Sequence, residues 1–425
     1  MHKNVEGPDT TTTAEADRAV RPRPSAGRIG RFARTTLLVV MLLLALALLV
    51  EQLLAVLPVD WWSPVLSVLA LQSLVLAISV FRDLFGSWDV LLAVLALAAG
   101  VIALRRRGRR RLPVALSAMS GAALLLALTT TTVQVVSVHG ATGDWFAFSP
   151  AAPGTAIGRG PDRTVTYATL DGERMKADLY LPETSSAAAA PLVVSIHGGG
   201  FIGGSRGPTV YTSWLADHGY AVLDVDYRLA TKTRHTWNTA DADVGCALTW
   251  ATAHASEYDW DMNRVATFGG SAGGNLSVNV AYKINAGTLK PSCGTAAQLP
   301  KVKASIASYP AVDMTATVSD TAIGEDSGDK YVGGTPAQYP DRYRAIDSAD
   351  QITPAAPPTL LLHGTRDHLI LADHTEAFAD KLTAAGITHR YVEVPFMDHA
   401  YDSVSDNIGT KATRALMLPW LQKYV

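Results

Sequence analysis

Apolar positions are spread unevenly along this chain. From residue 36 to residue 57 almost every position is apolar, and only Glu51 and Gln52 interrupt the run near its far end. Further runs follow at 64–81, 88–104 and 112–138. A stretch of about 20 residues crosses a bilayer, so residues 35–138 read as a membrane region of three or four apolar segments. A cleaved signal peptide is the alternative for the first run, but that run is long for such a segment and more apolar sequence follows it. Trp61 and Trp62 stand where an interfacial aromatic belt is expected. Residues 1–34 carry no apolar period and crowd arginine toward their end, at Arg21, Arg23, Arg28, Arg31 and Arg34; they read as a disordered basic tail.

The six arginines of 105–111 form a loop between two apolar runs. Positive loops stay in the cytoplasm, so a single crossing after this one puts everything beyond residue 138 outside. A basic tail and a basic loop on the same side require an even number of crossings between them, yet three runs lie there. The run at 64–81 begins with proline and contains serine and glutamine, and it is expected to lie along the interface or re-enter.

Residues 139–162 are rich in Gly, Ala and Pro and read as a linker. From 163 to the C-terminus at 425 the pattern changes to short apolar strands alternating with helical periods. Two strands at 165–170 and 175–181 flank Asp171-Gly172, a hairpin signal. Apolar strands follow at 192–196, 221–225, 264–268, 304–308, 359–362 and 390–394, with helical patterns at 211–218, 243–254, 275–283, 374–385 and 411–423. The stretch 309–351 reads as irregular. This alternation predicts an α/β fold, a mostly parallel sheet with helices on both faces.

Composition narrows the function. Mean hydropathy is positive, from the apolar first third. The 36 basic and 38 acidic residues nearly cancel, which gives no reason to expect nucleic acid as a partner. The two cysteines, Cys246 and Cys293, lack ligand spacing, so neither a zinc site nor a catalytic thiol is expected. In an oxidising exterior they are candidates for a disulfide.

The chemistry concentrates at Gly269-Gly270-Ser271-Ala272-Gly273, where an apolar strand turns directly into a helix. Gly-x-Ser-x-Gly in that context is a nucleophile elbow, and Ser271 is the expected nucleophile. A serine hydroxyl needs a base, and the base an orienting carboxylate; in α/β-hydrolases these follow in the order Ser, acid, His. Asp367, just past the strand at 359–362, and His399, just past the last strand, fit that order. Asp373 and His389 are the rivals, Asp373 being placed in a helix and His389 at the start of a strand. Asp398 is adjacent to the histidine and badly placed to reach it. His363, His368 and His374 are expected to be structural or solvent-facing. His197-Gly198-Gly199-Gly200 follows the third strand, where backbone N–H donors for an oxyanion are expected.

These motifs, with Asp226-Tyr227-Arg228-Leu229-Ala230 and the stretch from Pro357 to Asp367, resemble the hormone-sensitive-lipase-like esterases and related bacterial acetyl- and feruloyl-type carbohydrate esterases. The resemblance runs from about residue 165 to the C-terminus. It implies an α/β-hydrolase fold, a Ser271–Asp367–His399 triad, and oxyanion donors at Gly199, Gly200 and Ala272. It also implies a small-molecule, lipid or carbohydrate ester as substrate, with neither metal nor organic cofactor. This chain departs from the family in having Gly270 where an aspartate is common, and membrane segments where N-terminal cap helices are usual. The expectation is a multi-pass membrane esterase with its catalytic domain outside the cytoplasm. A peptidase or amidase on the same triad is the alternative, followed by a non-catalytic sensor.

Overall fold

The computed structural model describes residues 26–86, 88–107, 111–146, 157–182, 189–294, 298–403 and 407–425. The first 25 residues of the basic tail, the centre of the arginine loop and much of the linker lie outside the described residues.

Four long helices open the chain: α1 (Ala26–Val56), α2 (Leu69–Phe85), α3 (Trp88–Arg107) and α4 (Arg111–Thr142). The end of the stretch read as a tail is therefore helical. Helix α4 packs along both α1 and α3. Small residues make these contacts: Ala45, Ala96 and Ala123 are fully buried, and a Cβ on Gly100 of α3 would fall 2.6 Å from Ser117 Oγ of α4. Close approach through small side chains is how helices associate when their outer faces are in lipid, and Leu37, Leu43 and Leu125 point outward, exposed. Phe32–Val56, Trp88–Arg106 and Arg111–Thr142 are long and apolar enough to cross a membrane. Helix α2, with 17 residues, is not among them and packs instead against the C-terminal domain.

That domain carries one eight-stranded sheet: β1 (Arg163–Leu170), β2 (Glu173–Tyr180), β3 (Ala190–Ile196), β4 (Ala221–Val225), β5 (Trp260–Gly270), β6 (Val302–Ser308), β7 (Thr359–Gly364) and β8 (His389–Val394). Their order is β1-β2-β4-β3-β5-β6-β7-β8. The first hairpin is antiparallel, β2 runs antiparallel to β4, and all later pairings are parallel. Asp171 and Gly172 both have positive φ, the left-handed pair that matches a hairpin turn to strand twist.

The central strands β3 to β7 are largely buried on both faces, and their period-2 alternation feeds two cores. Leu192, Val194 and Ile196 of β3 join one; Val193, with Val222, Ile306 and Leu360, joins the other. Helices α5 (Thr212–Asp217), α6 (Ala240–Tyr258), α7 (Ala272–Ala286), α8 (Met314–Asp320), α9 (Ala322–Val332), α10 (Pro340–Ile346), α11 (Ala372–Ala384) and α12 (Ile408–Tyr424) complete the fold. The stretch expected to be irregular is thus largely helical. Its helices are too short to display an amphipathic period, but two begin at side-chain caps: Asp313 accepts the N–H of Ala316, and Thr321 that of Gly324.

Cys246 of α6 and Cys293, just beyond α7, form a disulfide with Cα atoms 5.8 Å apart, 47 positions along the chain. Closing a loop of that length is worth up to ~4 kcal/mol in the chain-entropy account. It ties together the two helices that flank the strand leading to Ser271.

Candidate active site

Strand β5 delivers Ser271 into a conformation few residues adopt, φ +58° and ψ −126°. Its N–H donates to the carbonyl of Ser308 at 3.0 Å, which helps hold the strained turn. The motif glycines are dictated by close approach. A Cβ on Gly269 would sit 2.2 Å from the Gly273 carbonyl oxygen, and one on Gly273 would sit 2.0 Å from that of Ile196. The departure at Gly270 also has a physical reason, because a side chain there would meet the hydroxyl of Tyr309 at 2.8 Å.

Ser271, Asp367 and His399 come from the C-terminal ends of β5, β7 and β8 and meet there. Ser271 Oγ lies 2.9 Å from His399 Nε2, and His399 Nδ1 lies 2.8 Å from Asp367 Oδ2. The other Asp367 oxygen accepts the N–H groups of Leu369 and Ile370, each at 2.8 Å. Burial pushes the Asp367 carboxyl up, but the facing His399 and hydrogen bonds from His363 and His399 outweigh it and hold Asp367 well below the usual carboxylate range. For His399, burial disfavours the charged ring, yet the Asp367 charge and hydrogen bond dominate and raise its pKa above that of an ordinary histidine.

Of the rivals, Asp373 is in α11 beside His374, and His389 bonds the carbonyl of Ile387 at the start of β8; neither joins the cluster. Asp398 does not reach the imidazole. Its carboxylate instead accepts the backbone N–H groups of His368 and His399 at 2.9 and 2.7 Å and bonds His368 Nδ1 at 2.5 Å. Sequence reasoning missed His363. Its Nε2 faces Asp367 Oδ2 at 3.1 Å and the Ile370 carbonyl at 2.9 Å. Both are acceptors, so that nitrogen carries the proton. The signal was available in its spacing, four residues before Asp367 at the end of a buried strand.

Gly199 and Gly200 have φ of +112° and +60°, and Ala272 is the first residue of α7. Their loop packs directly on Ser271, since a Cβ on Gly198 would lie 2.9 Å from the Gly270 carbonyl oxygen and 3.2 Å from Ser271 Cβ. Among the described residues no group accepts the N–H of Gly199 or Gly200. A mostly apolar cavity of about 50 Å³ opens beside Ser271, walled by Phe201 and by Met314, Ile323 and Gly324 from α8 and α9. Among the described residues no cluster of His, Cys, Asp and Glu is arranged to hold a metal ion.

A mostly parallel sheet of this order, with a sharp strand-to-helix turn after its fifth strand, gives the C-terminal domain an α/β-hydrolase fold. Residues 177–382 match the family model BD-FAE. Esterase LipC of Mycobacterium tuberculosis is 29% identical over 250 residues, 56% of this chain and 60% of that protein. The probable carboxylic ester hydrolase LipM of the same organism is 29% identical over 272 residues, covering 60% and 62% respectively. These matches thus span about three-fifths of each curated relative. The propionate-bound esterase of Thermogutta terrifontis superposes with a TM-score of 0.50 at 21% identity, over 61% of this chain and 93% of that one.

Proposed function

We propose that this chain is a membrane-anchored serine esterase whose catalytic domain lies outside the cytoplasm. The observation that carries the chemistry is the unbroken line Ser271 Oγ–His399–Asp367, with bonds of 2.9 and 2.8 Å. In the reaction, His399 Nε2 takes the serine proton as Oγ attacks the ester carbonyl. The N–H groups of Gly199, Gly200 and Ala272 receive the oxyanion. Collapse of the tetrahedral adduct expels the alcohol, which takes the proton back from His399 and leaves an acyl-serine. Water, deprotonated by the same histidine, then releases the acid and restores Ser271.

The cavity argues for a short acyl group. A cavity of about 150 Å³ accommodates benzene, so about 50 Å³ holds only a few carbon atoms. Among p-nitrophenyl esters, kcat/KM is expected to be highest between acetate and butyrate and to fall at least tenfold by octanoate. Equal rates across that series would remove the assignment of this cavity as the acyl site, and no hydrolysis of any member would remove the esterase reading.

Orientation rests on the arginine loop at 105–111 and the positive-inside rule, supported by the Cys246–Cys293 bond, which an oxidising exterior preserves. Helix α2 is too short to count among the candidate spans, which leaves two crossings before the loop and one after. An exterior-dependent reporter fused just after residue 146 is expected to be active, and one fused within the arginine loop silent. The opposite pattern would put the enzyme in the cytoplasm.

A further inference from the structure

We propose that helix α2 is a positioning element of the active site, holding the acid loop and the histidine loop in register through Gln72 and Asp83. The inference rests on the esterase reading above. Helix α2 has an inverted distribution of residues. Gln72, Val75, Ser79, Arg82 and Asp83 form its buried stripe, while Leu71, Leu74, Val80 and Phe81 are exposed. A helix that hides its polar side chains and shows its leucines is arranged for a protein on one side and lipid on the other.

Two of the buried side chains, Gln72 and Asp83, end at the catalytic loops. Gln72 is fully buried, and its amide makes two bonds with backbone. Its Nε2 donates to the carbonyl of His368 at 2.9 Å, and its Oε1 accepts the N–H of Ile323 at 2.8 Å. His368 directly follows Asp367, and Ile323 is a wall of the cavity. Two residues before the helix end, Asp83 Oδ2 accepts the N–H of Asp398 at 3.2 Å, and its carbonyl accepts Asn407 Nδ2 at 3.0 Å. Arg82 Nε and Nη2 bond the other Asp83 oxygen at 3.0 and 2.8 Å. Asp398 in turn bonds both His368 and His399.

Each triad member outside the elbow therefore has a chain neighbour anchored by α2. Asp367 and His399 lie on tips beyond two separate strands, where sheet pairing no longer fixes their spacing. Their 2.8 Å bond depends on what brackets the tips, and a displacement of about 1 Å at such a bond costs about a hundredfold in rate.

The test uses the full chain in lipid nanodiscs, with two readouts: steady-state hydrolysis of p-nitrophenyl acetate and butyrate, and the rate at which a fluorophosphonate labels Ser271. Gln72→Met removes both amide bonds while keeping the length of the side chain. It is expected to lower kcat and the labelling rate about 10- to 100-fold and to change the ratio of the acetate and butyrate rates, the chain preference, because Ile323 is released. Gln72→Glu keeps an acceptor for Ile323 but loses the donor to His368, so kcat should fall with chain preference retained. A merely structural role would move neither preference. Asp83→Ala is expected to behave like Gln72→Met in kcat, without the change in preference. Leu74→Ala, on the exposed face, should keep wild-type kinetics. Folding is checked by the non-reduced Cys246–Cys293 peptide and by thermal melting. If Gln72→Met does not fold, the Gln72→Glu kinetics decide. Folded Gln72 and Asp83 variants within twofold of wild type in kcat and labelling would overturn the inference. A wild-type chain that labels but hydrolyses no ester would overturn the esterase reading, and the labelling rates of the variants would still decide this one.

Discussion

Ser271→Ala is expected to lower kcat by on the order of 10⁶-fold, the scale seen when a serine triad loses its nucleophile. The variant should still fold, because Oγ bonds only His399 among the described residues, while the turn is held by the Ser271 N–H and the motif glycines. The informative comparison is the double variant. His399 acts on the Ser271 proton and has little to do without it, so adding His399→Ala to Ser271→Ala should cost less than about tenfold more. Purified Ser271→Ala that retains a tenth of wild-type kcat would end the serine-esterase assignment.

Asp367→Asn is expected to cost about 10⁴-fold in kcat, for a reason specific to this site. One oxygen of Asp367 accepts two backbone N–H groups, from Leu369 and Ile370. In the variant the amide oxygen must keep those two bonds, which turns the NH₂ toward His399 Nδ1. That nitrogen then has to accept, the ring proton moves to Nε2, and Nε2 can no longer take the proton of Ser271. The pH dependence gives an independent reading. The Asp367 charge contributes to raising the His399 pKa above its ordinary value, and the base must be neutral to work. Wild-type kcat/KM is therefore lost as pH falls through that raised value, and removing the charge should move this acid limb to lower pH. A residual activity whose limb stays where the wild type has it would mean that Asp367 does not face the base.

How far the sequence was legible follows from where each signal resides. The parallel sheet was readable because β3, β4 and β7 are largely buried on both faces and carry the apolar runs Leu192–Val194, Ala221–Leu223 and Leu360–Leu362. The elbow was readable because Gly269 and Gly273 answer a steric demand that no other residue meets. Asp367 and His399 could be placed from strand ends alone, and the structure brings them together with Ser271. The chain between β6 and β7 was not legible: α8, α9 and α10 are each a few turns at most, α8 and α9 starting at side-chain caps and packing over the cavity and α10 starting at Pro340. Nor could α2 have been placed from its pattern. Its serines and Gln72 marked it as unlike a simple span, but only tertiary contact reveals that Gln72 bonds the backbone of His368 and Ile323. His363 and Asp398 were undervalued for a similar reason, since their partners sit on other loops or around a turn.

Helix α4 has a consequence for the way substrate is met. Its 32 residues make a rod of about 48 Å, against a hydrocarbon core of about 30 Å. The excess of about 18 Å is more than both headgroup layers together, and at the C-terminal end of the helix Gln134 bonds the carbonyl of Pro395 while Val138 joins Met397 and Tyr401 in one apolar cluster beside the histidine loop. On the spanning arrangement proposed above, the catalytic domain is bolted down at the bilayer surface and cannot swing on a tether. Its search for an ester that partitions into the membrane is then two-dimensional. The concentration that sets the rate is the mole fraction in the leaflet, so diluting such a substrate with inert lipid slows turnover even when its amount per volume of solution is unchanged.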